Sequence, residues 1–222
     1  MKIGIFCGSF DPIGKHHEMI IKYLISTKVL DKIIIMPIYE SYTKNLTNGI
    51  HRLAMCNIIA KKLRDSSLKN VYVSDYIIAE HQTDCMYDII KNYINNASQD
   101  DEYFYIIGMD NINSVEKWIK WKESIDLIRY IIVKRTNYFS DKIIHFKNND
   151  LIIEAIDEKS NIYSSTNIRK LLKQYYQSAN SPNSPNSANS TNSVNRVDLL
   201  DLIDEDVFEY IKSYNLYLEV SD

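Results

Sequence analysis

Ten residues near the amino end, Gly8-Ser9-Phe10-Asp11-Pro12-Ile13-Gly14-Lys15-His16-His17, gather the groups that phosphate chemistry needs. They stand between an apolar run, Lys2–Cys7, and a helix-patterned stretch. A strand that turns through small residues into a helix start aims main-chain N–H groups and the positive helix end at one point, which suits an anion. Lys15, His16 and His17 add side-chain donors to phosphate oxygens. The same residues also read as a plain Ser-Phe-Asp-Pro turn ahead of a helix, because glycine-containing turns recur in many folds. On these residues alone both readings stand.

Two further segments carry the same kind of chemistry. Ser164-Ser165-Thr166-Asn167-Ile168-Arg169 opens a helix, where hydroxyls cap the first turn and the planar fork of Arg169 suits phosphate. The alternative there is an ordinary N-cap with a solvated arginine. Gly108-Met109-Asp110 follows the apolar run Tyr103–Ile107, and the chain's two tryptophans, Trp118 and Trp121, come next. Tryptophans spaced i, i+3 on a helix more often serve a core than a ligand, yet a flat ring just past a strand end suits stacking on a base. His81, Asp84 and Cys85 resemble metal ligands but have no fourth ligand at a recognised spacing. No Walker A, GxGxxG or GxSxG pattern occurs, and neither Ser9 nor Ser165 has an evident general base, so covalent catalysis has no support.

The elements that must position these groups alternate in type. Lys2–Cys7, Lys32–Met36, Val71–Ser74, Tyr103–Ile107, Tyr130–Val133 and Leu151–Ala155 are β-branched, nearly uncharged runs, as strands covered on both faces require. Between them, His17–Ile25, the set Leu53, Cys56, Ile59, Ala60 and Leu63, and the set Met86, Ile89, Ile90, Tyr93 and Ile94 follow a helical period. This alternation predicts an α/β fold: a doubly wound parallel sheet with flanking helices. In such sheets ligands bind beyond the carboxyl ends of strands, where the glycine-containing loop falls. From Asn180 to Asn195 asparagine recurs every third residue. That polar tract cannot bury enough to fold and reads as a disordered insert at about 178–196 within a single domain spanning 1–222. An apolar-patterned helix from near Asp198 to Ile211 forms a small C-terminal helical portion.

Composition closes several doors. Only five of 222 residues are glycine, and Gly4, Gly8 and Gly14 fall within the first fourteen, where backbone bends or approaches something closely. A net charge of −3 gives no global positive field to hold a nucleic-acid backbone. Cys7, Cys56 and Cys85 are odd in number and form no CxxC pair, which fits reduced thiols in a cytosol. No apolar run reaches a membrane span of ~18 residues, and IGIFC is too short for a secretory core. The expectation is a cytoplasmic protein with neither nucleic-acid nor membrane partners. No unexplained apolar stripe specifies an oligomeric state.

Taken together, the segments resemble the nicotinate/nicotinamide mononucleotide adenylyltransferases of the HIGH-type nucleotidyltransferase superfamily. KIGIFCGSFDPIGKHH is similar to that family's opening strand and phosphate loop, MPIYESYTKN with HRLAMCNIIA to its second strand, substrate loop and H-R-x-x-M helix, and IIGMDNINSVEKWIKW to its G-x-D…W segment. IVKRTNY, IYSSTNIRKLL and VFEYIKSYNLY resemble its later motifs in the same order. The resemblance implies a Rossmann-like fold and a reaction in which a pyridine mononucleotide phosphate attacks the α-phosphorus of ATP, releasing pyrophosphate. It implies nucleotide binding by Gly8, Ser9 and Phe10 and charge stabilisation by His17. Phosphate contacts would come from Lys44 and Arg135, and Ser165, Thr166 and Arg169 would hold the triphosphate. Gly108 and Asp110 would bind or orient ATP, and Thr83 and Trp118 would bound the pyridine pocket. Magnesium would accompany ATP as cofactor. The EKWIKW segment favours the acid mononucleotide, nicotinate.

Two residues depart from the family pattern: Gly14 stands where a His or Thr donor is usual, and Cys7 where a glycine is common. His16, at a position usually small or apolar, is placed to compensate for the first. Phosphopantetheine adenylyltransferases share the GSFDP opening but lack the Trp-containing helix. A nucleotide-binding relative without activity is the other alternative.

Overall fold

The structure, a computed structural model, describes residues 1–40, 45–80, 86–96, 98, 100–134, 139–146, 149–153, 164–179 and 196–218, with the main chain alone at 149–153 and 179. Six strands form one sheet: β1 (Lys2–Gly8), β2 (Lys32–Pro37), β3 (Val71–Val73), β4 (Glu102–Gly108), β5 (Arg129–Val133) and β6 (Asn149–Ile153). They lie in the order β3-β2-β1-β4-β5-β6, with every neighbouring pair parallel. The chain winds outward from β1 through β2 to β3, then crosses back to β4 and continues outward the other way. The order therefore reverses between β1 and β4, the switch point at which open α/β sheets bind ligands.

Strands β1, β2, β4 and β5 bury alternate residues in opposite layers, because successive side chains point to opposite faces. Phe6, Ile33, Ile35, Phe104, Ile106, Ile131 and Val133 belong to one core. That core is closed by α1 (Lys15–Ser26), α2 (Gly49–Ser66), α7 (Ser165–Ala179), α8 (Arg196–Leu200) and α9 (Glu205–Ser213). Ile3, Ile5, Ile34, Met36, Tyr105, Ile107, Tyr130 and Ile132 belong to the other. Its cover is α3 (Tyr76–Ala79), α4 (Met86–Asn95), α5 (Met109–Ile112) and α6 (Trp121–Leu127). At roughly 25 cal/mol per Å² of apolar surface removed from water, this two-sided burial is the main source of stability.

Several boundaries differ from the sequence expectation. Helix α1 begins at Lys15 rather than His17, and β6 begins at Asn149 rather than Leu151. The expected C-terminal helix is two helices, because Asp204 takes an extended conformation and caps α9 by accepting from the Asp206 amide at 3.0 Å. Trp118 and Trp121 do not share a helix. Trp118 follows a single 3₁₀ turn, Val115–Lys117, in extended backbone, and a left-handed Lys120 separates it from α6. On α2 the buried face carries Arg52, Met55, Cys56, Ile59, Ala60 and Leu63, while Leu53 is half-exposed. Among the described residues no helix is long and apolar enough to cross a membrane.

Candidate active site

The loop that leaves β1 is shaped by Phe10 rather than by its glycines. None of the described glycines has a positive φ, whereas Phe10 sits at φ 44°. A left-handed conformation costs a non-glycine residue on the order of 1–2 kcal/mol. The buried ring of Phe10, set edge-on at 5.3 Å to Phe6 and 5.0 Å to His17, offsets that cost. Gly14 then caps α1. A Cβ there would lie 2.8 Å from Ile168 Cδ1 and 2.9 Å from His16 Nδ1, so the absent side chain is what admits the His16 ring and the first turn of α7.

The Gly14 N–H donates to His17 Nδ1 at 3.0 Å. Since Nδ1 accepts, this bond assigns the neutral ring its proton at Nε2. The His16 and His17 rings lie 3.7 Å apart between centroids, tilted by 40°. Lys15, by contrast, is turned away from the phosphate chemistry expected of it: its Nζ donates to the Leu200 carbonyl and its N–H to the Leu202 carbonyl at 2.8 Å.

The start of α7 docks against the same loop. Ser164 Oγ caps the helix by accepting from the Asn167 amide at 3.1 Å, and Ser165 Oγ donates to the Pro12 carbonyl at 2.9 Å. Arg169 Nη1 donates to the Asp11 carbonyl at 2.6 Å, and Nη2 reaches the exposed Thr166 hydroxyl at 3.4 Å. Two segments more than 150 residues apart in sequence thus pack together, with Arg169 and the start of α7 tied to the loop that leads into α1.

Beneath the loop lies a buried polar network that the sequence reading did not select. Asp11, 1% exposed, accepts from the Tyr217 hydroxyl at 2.7 Å and from the Thr47 amide at 3.2 Å, with Arg169 Nη1 at 3.9 Å. Burial first, and then the Asp11 charge, pushes the Tyr217 phenol well above its usual range, so its hydroxyl remains a donor. Arg52 is fully buried and donates to the carbonyls of Thr47 (Nε, 2.7 Å), Ser9 (Nη1, 2.8 Å) and Tyr39 (Nη2, 2.7 Å). Its place on an apolar helical face, in register with Met55, Cys56 and Ile59, was the available signal: an arginine there has to be satisfied internally.

The neighbouring strand end contributes Gly108 and Asp110. A Cβ on Gly108 would lie 2.4 Å from Asp110 Oδ1, so the carboxylate folds back over the glycine at the start of α5. Strands β1 and β4 are adjacent, which sets this turn beside the loop after Gly8. Trp118 is half-buried against the α4–α6 layer, and Trp121 meets the His145 ring edge-on at 5.1 Å. Lys44, Thr83 and Arg135 lie outside the described residues, as do His81, Asp84, Cys85 and the tract at 180–195. Among the described residues no three His, Cys, Asp or Glu side chains converge as a metal site would require.

Residues 5–171 match the cytidylyltransferase-like family. The chain belongs to that family. A Fusobacterium nucleatum protein named probable nicotinate-nucleotide adenylyltransferase is 36% identical over 176 residues, covering 78% of this chain and 88% of the relative. An Aliarcobacter butzleri protein of the same name is 30% identical over 162 residues, covering 70% and 83%. In fold, the chain matches a Plasmodium falciparum nicotinic acid mononucleotide adenylyltransferase complexed with NaAD, with a TM-score of 0.78 at 22% identity over 97% of both chains. The same Plasmodium enzyme complexed with APC gives a TM-score of 0.76. The chain therefore has the fold of these cytidylyltransferase-like proteins. Its Ser165 hydroxyl faces a carbonyl, not a base, and Arg169 and the starts of α1 and α7 meet at the loop after β1. That arrangement suits in-line displacement at phosphorus by positioning and charge stabilisation, without a protein nucleophile.

Proposed function

We propose that the chain transfers the adenylyl group of ATP to nicotinate mononucleotide, forming the dinucleotide and pyrophosphate, and that nicotinamide mononucleotide is a secondary acceptor. The observation that carries this reading is the convergence of His17, Arg169 and the amino ends of α1 and α7 on the loop at the β1/β4 switch point. The names of the relatives support the acceptor. A phosphate oxygen of the mononucleotide attacks the α-phosphorus of ATP while the bond to the bridging oxygen breaks, and pyrophosphate carries away the electron pair.

In this reading Gly8, Ser9 and Phe10 present main-chain amides to the nucleotide. His17 donates from Nε2 to the phosphate that gains charge, and His16 fills the room left by Gly14 with a second imidazole. Ser165, Thr166 and Arg169, with Lys44 and Arg135, hold phosphate oxygens. Gly108 and Asp110 orient the adenosine, and Thr83 and Trp118 bound the pyridine ring. Magnesium would come with ATP and would supply charge neutralisation for the triphosphate and the leaving pyrophosphate; among the described residues no cluster of three His, Cys, Asp or Glu offers it a site of its own. Cys7 and Cys56, present as thiols rather than in a disulfide, support a reducing, cytosolic setting.

Pyrophosphate release from ATP–magnesium, measured with nicotinate mononucleotide, nicotinamide mononucleotide and phosphopantetheine in turn, tests the assignment. The expected order of kcat/KM places nicotinate mononucleotide first. Preference for phosphopantetheine overturns the acceptor, and nucleotide binding without turnover on any acceptor makes the chain an inactive relative.

A further inference from the structure

Arg52 holds a position that helix stability does not explain. It lies one turn from the amino end of α2, whose first turn is capped by Asn48, and a cation near a helix amino end faces the positive end of the dipole. It is also fully buried, which removes it from water at high cost unless every donor is met. It donates to main-chain carbonyls of three separate segments: Ser9 in the loop after β1, Tyr39 in the loop after β2, and Thr47 just before α2.

Fixing those carbonyls fixes peptide planes. In a trans peptide the C=O and the following N–H point in opposite directions, so the Ser9 carbonyl turned toward Arg52 sends the Phe10 N–H to the far side. The left-handed Phe10 adjoins the peptide so held. Thr47 is gripped from both sides, its carbonyl by Arg52 and its amide by Asp11. Tyr39 and Thr47 bracket the stretch that contains Lys44. A planar fork can address three carbonyls at once, whereas the point-like ammonium of a lysine cannot span them.

We infer that Arg52 is a positioning residue: by clamping the Ser9, Tyr39 and Thr47 carbonyls it orients the nucleotide-facing amides of the β1 loop and holds Tyr39 and Thr47 beside them. The activity arm of the test rests on the adenylyl-transfer reading; the binding arm does not.

The test uses Arg52→Lys and Arg52→Gln in the full chain. Circular dichroism reports the fold, calorimetry reports ATP binding, and pyrophosphate release at 20 °C gives kcat and both KM values. Folded variants are expected to lose about 10–100-fold in kcat with a raised KM for ATP, since displacement of reacting groups by about 1 Å has that scale of effect. Arg52→Lys should retain more activity than Arg52→Gln. A folded Arg52→Lys with unchanged kcat and KM overturns the inference, and so does failure of both variants to fold, which would assign Arg52 to the core alone. If the wild type releases pyrophosphate with none of the three acceptors, the adenylyl-transfer reading fails by itself. Calorimetry then decides for Arg52, about tenfold weaker ATP binding by a folded variant supporting the clamp and equal binding overturning it. No ATP binding by the wild type overturns both.

Discussion

His17 has two ring nitrogens with separate duties, and a substitution can divide them. Nδ1 accepts from the Gly14 amide and so belongs to the helix cap, while Nε2 is the nitrogen to which the proposed reaction assigns the donor role. Asparagine at position 17 retains an acceptor near Nδ1 and removes the Nε2 donor. His17→Asn should therefore fold normally yet lose about 10²–10³ in kcat, the usual cost of losing a donor that acts in the transition state. His16→Ala should lower kcat nearly as far, because His16 occupies the space that Gly14 leaves; an unchanged rate for that variant removes its assigned role. The histidines were legible in the sequence because donors beside a strand-to-helix turn have few other uses. Arg52 was not. A period of 3.6 residues places positions 52 and 53 about 100° apart, and an apolar pattern naturally selects Leu53 over its charged neighbour. The register of Arg52 with Met55, Cys56 and Ile59 was the signal available, and its three carbonyl partners show how the buried position is satisfied.

Between elements, the decisive contact is the one from the segment after α9 to the loop after β1. Tyr217→Phe keeps the ring and removes the hydroxyl that serves the buried Asp11 carboxylate. Leaving a buried acceptor short of a partner costs about 1–3 kcal/mol, equivalent to a fall of roughly 3–10 °C in Tm for a chain of this size. The sign of the pH dependence follows from the direction of the shift. A phenol whose folded pKa is raised contributes stability that is complete below about pH 10 and is lost as pH climbs through the folded value. Thermal melts should thus show wild type above Tyr217→Phe at pH 7–8, with the gap narrowing above about pH 10; a gap independent of pH refutes the assignment. Strand and helix alternation was readable from composition because strands covered on both faces are apolar throughout. The Asp204 break between α8 and α9 was not, since capping at that position depends on the backbone adopting an extended conformation there. Nor was the pairing of Asp11 with Tyr217, which are 206 positions apart.

For the molecule as a whole, the Asn/Ser tract separates α7, which supplies Arg169, from α8, whose backbone receives Lys15. The bonds that tie α7, Thr47 and Tyr217 to the loop after β1 are made by residues outside 180–195. Replacing 180–195 with a short Gly/Ser linker should leave kcat and KM within about twofold of wild type, flexible linkers being tolerant of composition and length. A loss beyond about tenfold in kcat/KM would instead give the tract a part in the reaction. The six described strands end at Ile153, whereas Tyr217, whose hydroxyl donates to Asp11, comes near the end of the described chain. On the ribosome, then, the residues of those strands are all made some sixty codons before the one that brings this further tie to the loop after β1. A growing chain can therefore hold the strands of the scaffold, and the Thr47 and Arg169 ties to Asp11, while the Tyr217 tie is still to be made.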